Sequence, residues 1–154
     1  MNFARNSVFL RRLRRFGFSC VATVCFACHA DPNLPMPPLI QKGLELYERS
    51  GVEVAFDAWQ HGGLLEGNGA KARLFREVAA PLGNYKSSEV IAIKDLTRTS
   101  KIVYFSMDFK RGAVYARFLL YKTDTDWVTQ NLVFSASPEA IMPWLALAGE
   151  NAVQ

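Results

Sequence analysis

The polar side chains suited to chemistry are few and stand far apart in the sequence. His61 is the one histidine after residue 30, and it follows an apolar helical pattern just before Gly62 and Gly63. A zinc site takes three or four His, Cys, Asp or Glu ligands, so a single histidine without any cysteine predicts no metal. A histidine at a helix end is also favoured by the helix dipole, so His61 is open to a ligand-binding or a structural interpretation.

Acid–base chemistry would depend on Asp108 and Tyr104. Asp108 stands at the end of a predicted strand and is the best single candidate base. In a pocket enzyme of isomerase or hydratase type, Asp108 or His61 would be the base and Tyr104 the hydrogen-bond donor. These groups would have to converge in one cavity, with a raised pKa of the carboxyl group. Strand alternation sends Asp108 outward, so we predict no catalytic residue.

Residues 67–72 read Gly-Asn-Gly-Ala-Lys-Ala, which fits the Gly-x-Gly-x-x-Ala pattern of dinucleotide-binding turns. That turn needs a strand before it and a parallel strand after it. Here a predicted helix precedes it and antiparallel strands follow, so we interpret it as a loop with Asn68 capping the next helix. The sequence has no Gly-x-Ser-x-Gly and no Gly-Lys-Ser/Thr motif. It therefore predicts no cofactor and favours neither a serine hydrolase nor a nucleotide triphosphatase.

Residues 1–30 have the pattern of a secretory signal peptide. The first 15 residues carry five arginines and no acid, an uncharged apolar run follows from Phe16 to Ala27, and small residues precede Asp31. The run is shorter than the roughly 20 apolar residues of a spanning helix. We expect cleavage after Ala30 and a periplasmic or secreted chain without a transmembrane segment. The alternatives are a retained anchor and, because Cys25-Phe26-Ala27-Cys28 resembles a lipobox, a lipoprotein modified at Cys28.

The chain that remains after cleavage is neither basic nor cysteine-rich. The full chain has 18 basic and 14 acidic residues, and five arginines leave with the leader, so 13 basic residues oppose 14 acidic ones. No stripe of Lys and Arg remains for a nucleic-acid partner. All three cysteines, Cys20, Cys25 and Cys28, lie in the leader, which predicts no disulfide and no thiol chemistry.

Helical patterns come before strand patterns along the chain. Residues 31–38 hold four prolines and predict a stiff linker, followed by a single domain at 39–148 and a tail at 149–154. Helical spacing recurs in three segments, Ile40 to Tyr47, Val52 to Trp59 and Phe75 to Leu82. Alternation predicts four strands, Ser88–Leu96, Lys101–Asp108, Ala113–Lys122 and Trp127–Ala136, before a short helix at Ser137-Pro138. Short turns require antiparallel neighbours, so the sequence predicts an α+β fold with three N-terminal helices packed on a curved four-stranded antiparallel sheet.

One face of this sheet should be apolar and carry the helices. Pairing Asp108 with Ala113 and Lys122 with Asp126 joins the apolar residues of the last three strands into one surface. Gln130 is the one polar residue on it, and it would either point into a pocket or bond locally. We predict a site for a small apolar ligand here, with Gln130, Trp59 and His61 as the ligand-binding residues.

The opposite face is predicted to carry Tyr104, Tyr115, Arg117, Tyr121, Trp127 and Asn131. Aromatic residues and arginine are enriched where proteins bind each other. This face therefore predicts the interface of a homodimer or of a complex with an envelope protein. The alternative is an exposed sheet stabilised by cross-strand aromatic pairs.

A family resemblance rests on five segments and the start of the last helix: 43–47, 54–59, 85–90, 104–117, 127–134 and Ser137-Pro138-Glu139. The pattern covers about residues 39–145 and resembles the nuclear-transport-factor-two-like superfold, the cone shared with ketosteroid isomerases, and small secreted bacterial proteins of that class. The resemblance implies a cone-shaped cavity and dimers through the sheet. Enzymes of that superfold place Asp, His or Tyr inside the cone, and those positions have no match here, so the fold alone assigns no activity.

These observations predict an exported, noncatalytic module that binds a small apolar ligand or a protein partner. An envelope assembly protein that acts through the outer sheet face and a pocket enzyme are the alternatives.

The mature N-terminus is expected to be Asp31, because Ala30 and Cys28 occupy the small-residue positions of the cleavage site. N-terminal sequencing and intact mass of protein recovered from the exported fraction test this. An uncleaved chain, or a lipid on Cys28, would contradict it.

Overall fold

Helices precede the sheet in the computed structural model, which describes residues 34–144. Three helices come first: α1 is Pro38–Ser50, α2 is Val52–Gln60 and α3 is Gly69–Ala79, with a short 3-10 turn at Ala80–Leu82. The strands are β1 (Tyr85–Thr97), β2 (Ser100–Phe109), β3 (Gly112–Lys122) and β4 (Trp127–Ser135), and α4 is Pro138–Ile141. The sheet is open, in the order β1-β2-β3-β4, and each neighbouring pair is antiparallel, which confirms the predicted α+β fold. The predicted leader and the tail at 149–154 lie outside the described residues.

Local sequence explains where the helices begin and end. Pro38 begins α1, a position where a missing N–H costs nothing. Gly51 separates α1 from α2 with a φ of 90°, which glycine adopts without strain. Asn68 holds the predicted cap position of α3 without a side-chain cap bond. Within the described residues no helix is long and apolar enough to cross a membrane.

The core lies between α1–α3 and one face of the sheet, with Trp59 at its centre. Trp59 is 1% exposed, and its indole N–H donates to the carbonyl of Ile40, 3.0 Å away. The ring lies against Gly43, where a β-carbon would overlap the indole. The close approach of α1 and α2 therefore depends on a glycine at this point.

Aromatic edges connect the helices to the sheet. The ring centroids of Trp59 and Phe118 are 5.5 Å apart, and those of Phe75 and Phe134 are 5.2 Å apart, both in edge-to-face geometry. Phe56 contacts Trp59, Phe75 and Phe134. Such pairs each contribute about 0.5–1.5 kcal/mol beyond the burial of their area, so this cluster holds α2 and α3 in a fixed position over β3 and β4.

The register of β2 against β3 is the predicted one, with Asp108 opposite Ala113. In β1, an irregularity between Val90 and Ala92 leaves Ile91 unpaired. Because of this extra residue, Val90 and Ile93, three positions apart, both lie opposite core residues of β2, while Ile91 packs on the other face.

The register of β4 differs from the predicted one. Thr123 closes the turn with Asp126, since its backbone N–H and its hydroxyl both donate to the Asp126 carbonyl, at 2.8 and 2.9 Å. Lys122 therefore pairs with Trp127 rather than with Asp126. The pairing then shifts by one residue at Gln130, so that Phe118 still faces Leu132.

This shift reverses the faces of the first residues of β4. Trp127 packs against the main core and Thr129 is fully buried opposite Leu120, whereas Val128 pairs with Tyr121. The predicted placement of Trp127 on the outer face was therefore wrong, as was that of Gln130 as the polar residue of the buried face. Thr129 takes that position.

Replacing Gly43 with alanine should destabilise the protein although alanine is the better helix former. The added methyl group has no room beside Trp59, and overpacking of this kind costs about 1–3 kcal/mol, more than the roughly 1 kcal/mol gained in helix propensity. Urea denaturation measures the free energy of unfolding.

Gly69→Ala is the matched control, because a β-carbon at Gly69, also in a helix, meets nothing within 4 Å. It should leave stability unchanged or raise it. A Gly43→Ala variant as stable as the control would show that the contact with Trp59 does not limit the packing of α1 on α2.

Candidate functional site

An open groove lies between the N-terminal helices and the end of the sheet that carries the β3–β4 turn. Its volume is about 1310 Å³. The prolines and Met36 of the segment before α1 form one lip. The walls are apolar, with Leu39, Leu46, Val54 and Ala58 from the helices and Ile93, Leu120 and Trp127 from the sheet. Concave surfaces lined in this way, with a few polar groups, are typical of small-molecule sites.

Trp127 reaches the groove because of the register shift in β4. The ammonium group of Lys101 lies 4.2 Å from the centroid of its ring, close enough for a cation–π interaction. Asp95 approaches the same ammonium at 3.9 Å. Lys101 thus holds the ring against the sheet wall and brings a positive charge to the groove.

The charged groups around the groove are of both signs. Lys42, Asp57 and Asp126 line it beside Lys101. His61 lies at the exposed rim, where its Nδ1 is 2.9 Å from the carboxylate of Glu66 and its side chain is 83% exposed. Neither sign of charge dominates the lining of the groove.

The predicted ligand-binding residues do not come together. Of the three, His61 lines the groove, whereas Trp59 is enclosed in the core and Gln130 is the residue left unpaired by the register shift. Sequence reasoning missed Lys101 and placed Trp127 on the other face. The signal for Trp127 was the Thr123–Asp126 turn, which sets the register of β4.

The three groups of the acid–base hypothesis also lie apart. Asp108 and Tyr104 belong to the face of β2 turned away from the helices, where Asp108 accepts a hydrogen bond of 3.2 Å from Ser87. His61 is at the rim of the groove on the helix side. The convergence that this hypothesis requires is therefore missing. Over residues 34–144, no three His, Cys, Asp or Glu side chains are grouped to hold a metal ion.

Two polar groups beside the groove are buried without a hydrogen bond. They are the Nε2 of Gln60 and the Oγ1 of Thr129, and neither finds a partner among the described residues. The side chains are 1% and 0% exposed. Leaving such a group unpaired costs about 1–3 kcal/mol, and sequence reasoning singled out neither residue.

The outer face of the sheet is partly covered by the C-terminal segment. Ile141 and Met142 pack over Tyr104, which is 5% exposed. The ring of Trp144 meets that of Tyr104 edge to face at 4.8 Å, and the Lys94 ammonium lies 4.2 Å from the Trp144 ring. Tyr104, one of the predicted interface residues, is therefore covered within the chain itself, because α4 and the residues after it lie across this part of the face.

The remaining members of the predicted interface stay on the outer face. Tyr115 and Arg117 are half-buried, Tyr121 is 39% exposed and Asn131 is exposed. Arg117 pairs with Tyr104 and Val133, whereas Asn131 pairs with Leu119. The free part of this face is thus the corner around Tyr121, away from the C-terminal cover.

A smaller cleft of about 560 Å³ lies at the opposite end of the helices. Its floor contains Tyr47, Phe75 and Tyr85, with Arg76 and Lys86 at its edge. Burial raises the pKa of Tyr47 above its ordinary value, and the neighbouring Tyr85 adds to the effect. Burial likewise raises the pKa of Tyr85. Both phenols therefore stay neutral at physiological pH and serve as packing groups with hydroxyl donors.

Comparison with known proteins finds no matching family model, no matching curated protein and no matching solved structure.

Replacing Trp144 with alanine should uncover Tyr104. Loss of the partly buried ring and of its aromatic contact is expected to lower the free energy of unfolding by about 1–3 kcal/mol. Nitration with tetranitromethane followed by peptide mapping should show Tyr104 protected in the wild type and modified in Trp144→Ala.

Tyr121 is the internal control, since its exposure of 39% makes it reactive in both proteins. Equal modification of Tyr104 in the wild type and the variant would contradict the covering role of Trp144.

Proposed function

We propose that this protein is an exported, noncatalytic module that binds a small apolar molecule in the groove between α1, α2 and the sheet. The observation that carries the proposal is the apolar wall on both sides of a groove of about 1310 Å³. Export is supported by the signal-peptide pattern of residues 1–30. The likeness of the sequence pattern to the nuclear-transport-factor-two-like cone supports a site at this end of the sheet by analogy of fold.

The expected affinity follows from the apolar area that a ligand would bury. At about 25 cal/mol per Å², covering roughly 200 Å² contributes about 5 kcal/mol before the entropic cost of binding. This gain corresponds to a Kd no tighter than about 0.2 mM, so micromolar binding is expected only for a ligand that buries roughly twice that area. The scattered acids and bases of the rim provide orientation rather than most of the affinity.

A protein partner is the second candidate occupant of this molecule's surface. The observation that favours it is the free corner of the outer face, where Tyr121 is 39% exposed near Leu96, itself 54% exposed. Pairing of Thr97 with Ser100 and of Ser100 with Tyr121 brings these residues to one corner of the sheet. A second copy of the chain or an envelope protein would bury this patch.

The groove is expected to bind the neutral fluorescent probe N-phenyl-1-naphthylamine at one saturable site. Val54→Glu places a carboxylate in the helix wall and should raise the Kd of the probe at least about tenfold. The bound probe must either desolvate this charge or lose its contact with the wall. Fluorescence titration measures both dissociation constants.

Leu74→Glu is the matched control. Leu74 lies on α3 outside the groove, and it is 53% exposed where Val54 is 40% exposed. The control should bind the probe as the wild type does. Absence of saturable binding to the wild type, or an equal loss in both variants, would overturn the proposed function.

A further inference from the structure

Gln60 and Thr129 are neighbours of residues that line the groove, and Gly63 connects them, since its N–H donates to the Gln60 carbonyl at 3.1 Å and its backbone packs on the Thr129 carbonyl. Gln60 ends α2, and the two residues that follow it, His61 and Gly62, line the groove. Thr129 is the cross-strand partner of Leu120 and follows Val128 in β4, and both of those residues line the groove as well. The two residues with unpaired groups therefore border the groove, one on its helix side and one on its sheet side.

The wall between them is held by backbone rather than by large side chains. Gly63 packs on the carbonyl oxygen of Thr129 so closely that a β-carbon would overlap it. Gly62, with a φ of 68°, stands where glycine alone is unstrained. On the sheet side, the pairing of β3 with β4 is interrupted at Gln130, next to Thr129. A two-glycine loop and a bulge are the places where local opening disturbs the fewest packed side chains and ladder hydrogen bonds.

The chemistry of the two groups indicates what they would accept. The Nε2 of glutamine has two N–H donors, and the hydroxyl of threonine has one O–H donor and can also accept. Apolar residues of similar shape, such as leucine and valine, would fill both positions without an unpaired group. One donor from each of these side chains suits an oxygen with two lone pairs and no proton of its own.

We propose that Gln60 and Thr129 form a polar anchor at the inner end of the groove, and that the ligand is an apolar molecule with a neutral acceptor oxygen such as that of an ester or amide. The anchor rests on the proposed function, since it requires that the groove bind apolar molecules. The oxygen enters between the Gly62-Gly63 loop and β4 and accepts from Nε2 of Gln60 and Oγ1 of Thr129. The apolar body of the ligand stays between the helix wall and Trp127.

Two competitors of matched shape test the anchor by displacing N-phenyl-1-naphthylamine from the full-length mature protein. Methyl 2-naphthoate carries the ester oxygen, and 2-sec-butylnaphthalene replaces it with carbon. Thr129→Val and Gln60→Leu should each lower the affinity for the ester about five- to tenfold, which is the range of one hydrogen bond. The affinity for the hydrocarbon should be unchanged or higher. Thr99→Val is the control, because Thr99 is exposed and lies outside the groove, and it should change the affinity for neither competitor.

Thermal unfolding of the ligand-free variants separates binding from folding. Thr129→Val should be at least as stable as the wild type, because it removes an unpaired hydroxyl and keeps the shape. If Thr129→Val is less stable and ester affinity is unchanged, the hydroxyl is held by a trapped water and the anchor is refuted. If both competitors bind and neither variant discriminates them, the anchor is refuted while the groove remains a binding site. If neither competitor nor the probe binds the wild type, both proposals fail.

Discussion

The extra residue in β4 at Gln130 decides which side chains form the groove. The Thr123–Asp126 turn fixes the start of the strand, and Leu132 must still reach the core opposite Phe118. These two requirements call for pairing registers that differ by one residue, and the bulge at Gln130 accommodates the extra residue. As a result Trp127 stands on the helix side as a wall of the groove, and Thr129 is buried behind it. A β4 strand without the bulge would place either Trp127 or Leu132 on the wrong face.

Both faces of the sheet pack against other parts of the chain. The helices cover one face with a continuous aromatic core, and α4 with Met142 and Trp144 covers part of the other. Tyr104 is therefore a packing residue rather than an exposed one. The groove remains open because the helices end their contact with the sheet before the β3–β4 turn, where the lip of prolines and Met36 borders the space.

The sequence was sufficient for features that many residues specify together. Three helical stripes and four alternating segments predicted the α+β fold, and the short turn after Phe109 predicted the pairing of Asp108 with Ala113. Features that a single residue decides could not be predicted from the sequence. The bulge at Gln130 has no characteristic composition, and alternation extended past it assigns Trp127 and Thr129 to the wrong faces. The cover over Tyr104 was missed for a related reason, since Trp144 follows Pro143 and belongs to no periodic pattern.

Lys71 has a consequence for the open edges of the sheet. Its ammonium group donates to the Leu132 carbonyl at 2.7 Å and so places a charge against the outermost strand on one side of the sheet. On the other side, β1 departs from regular pairing at three places. Charged side chains and irregular backbone both prevent a further strand from adding to a sheet edge. Neither border of this sheet is thus a good template for the addition of strands from other chains in cross-β aggregates.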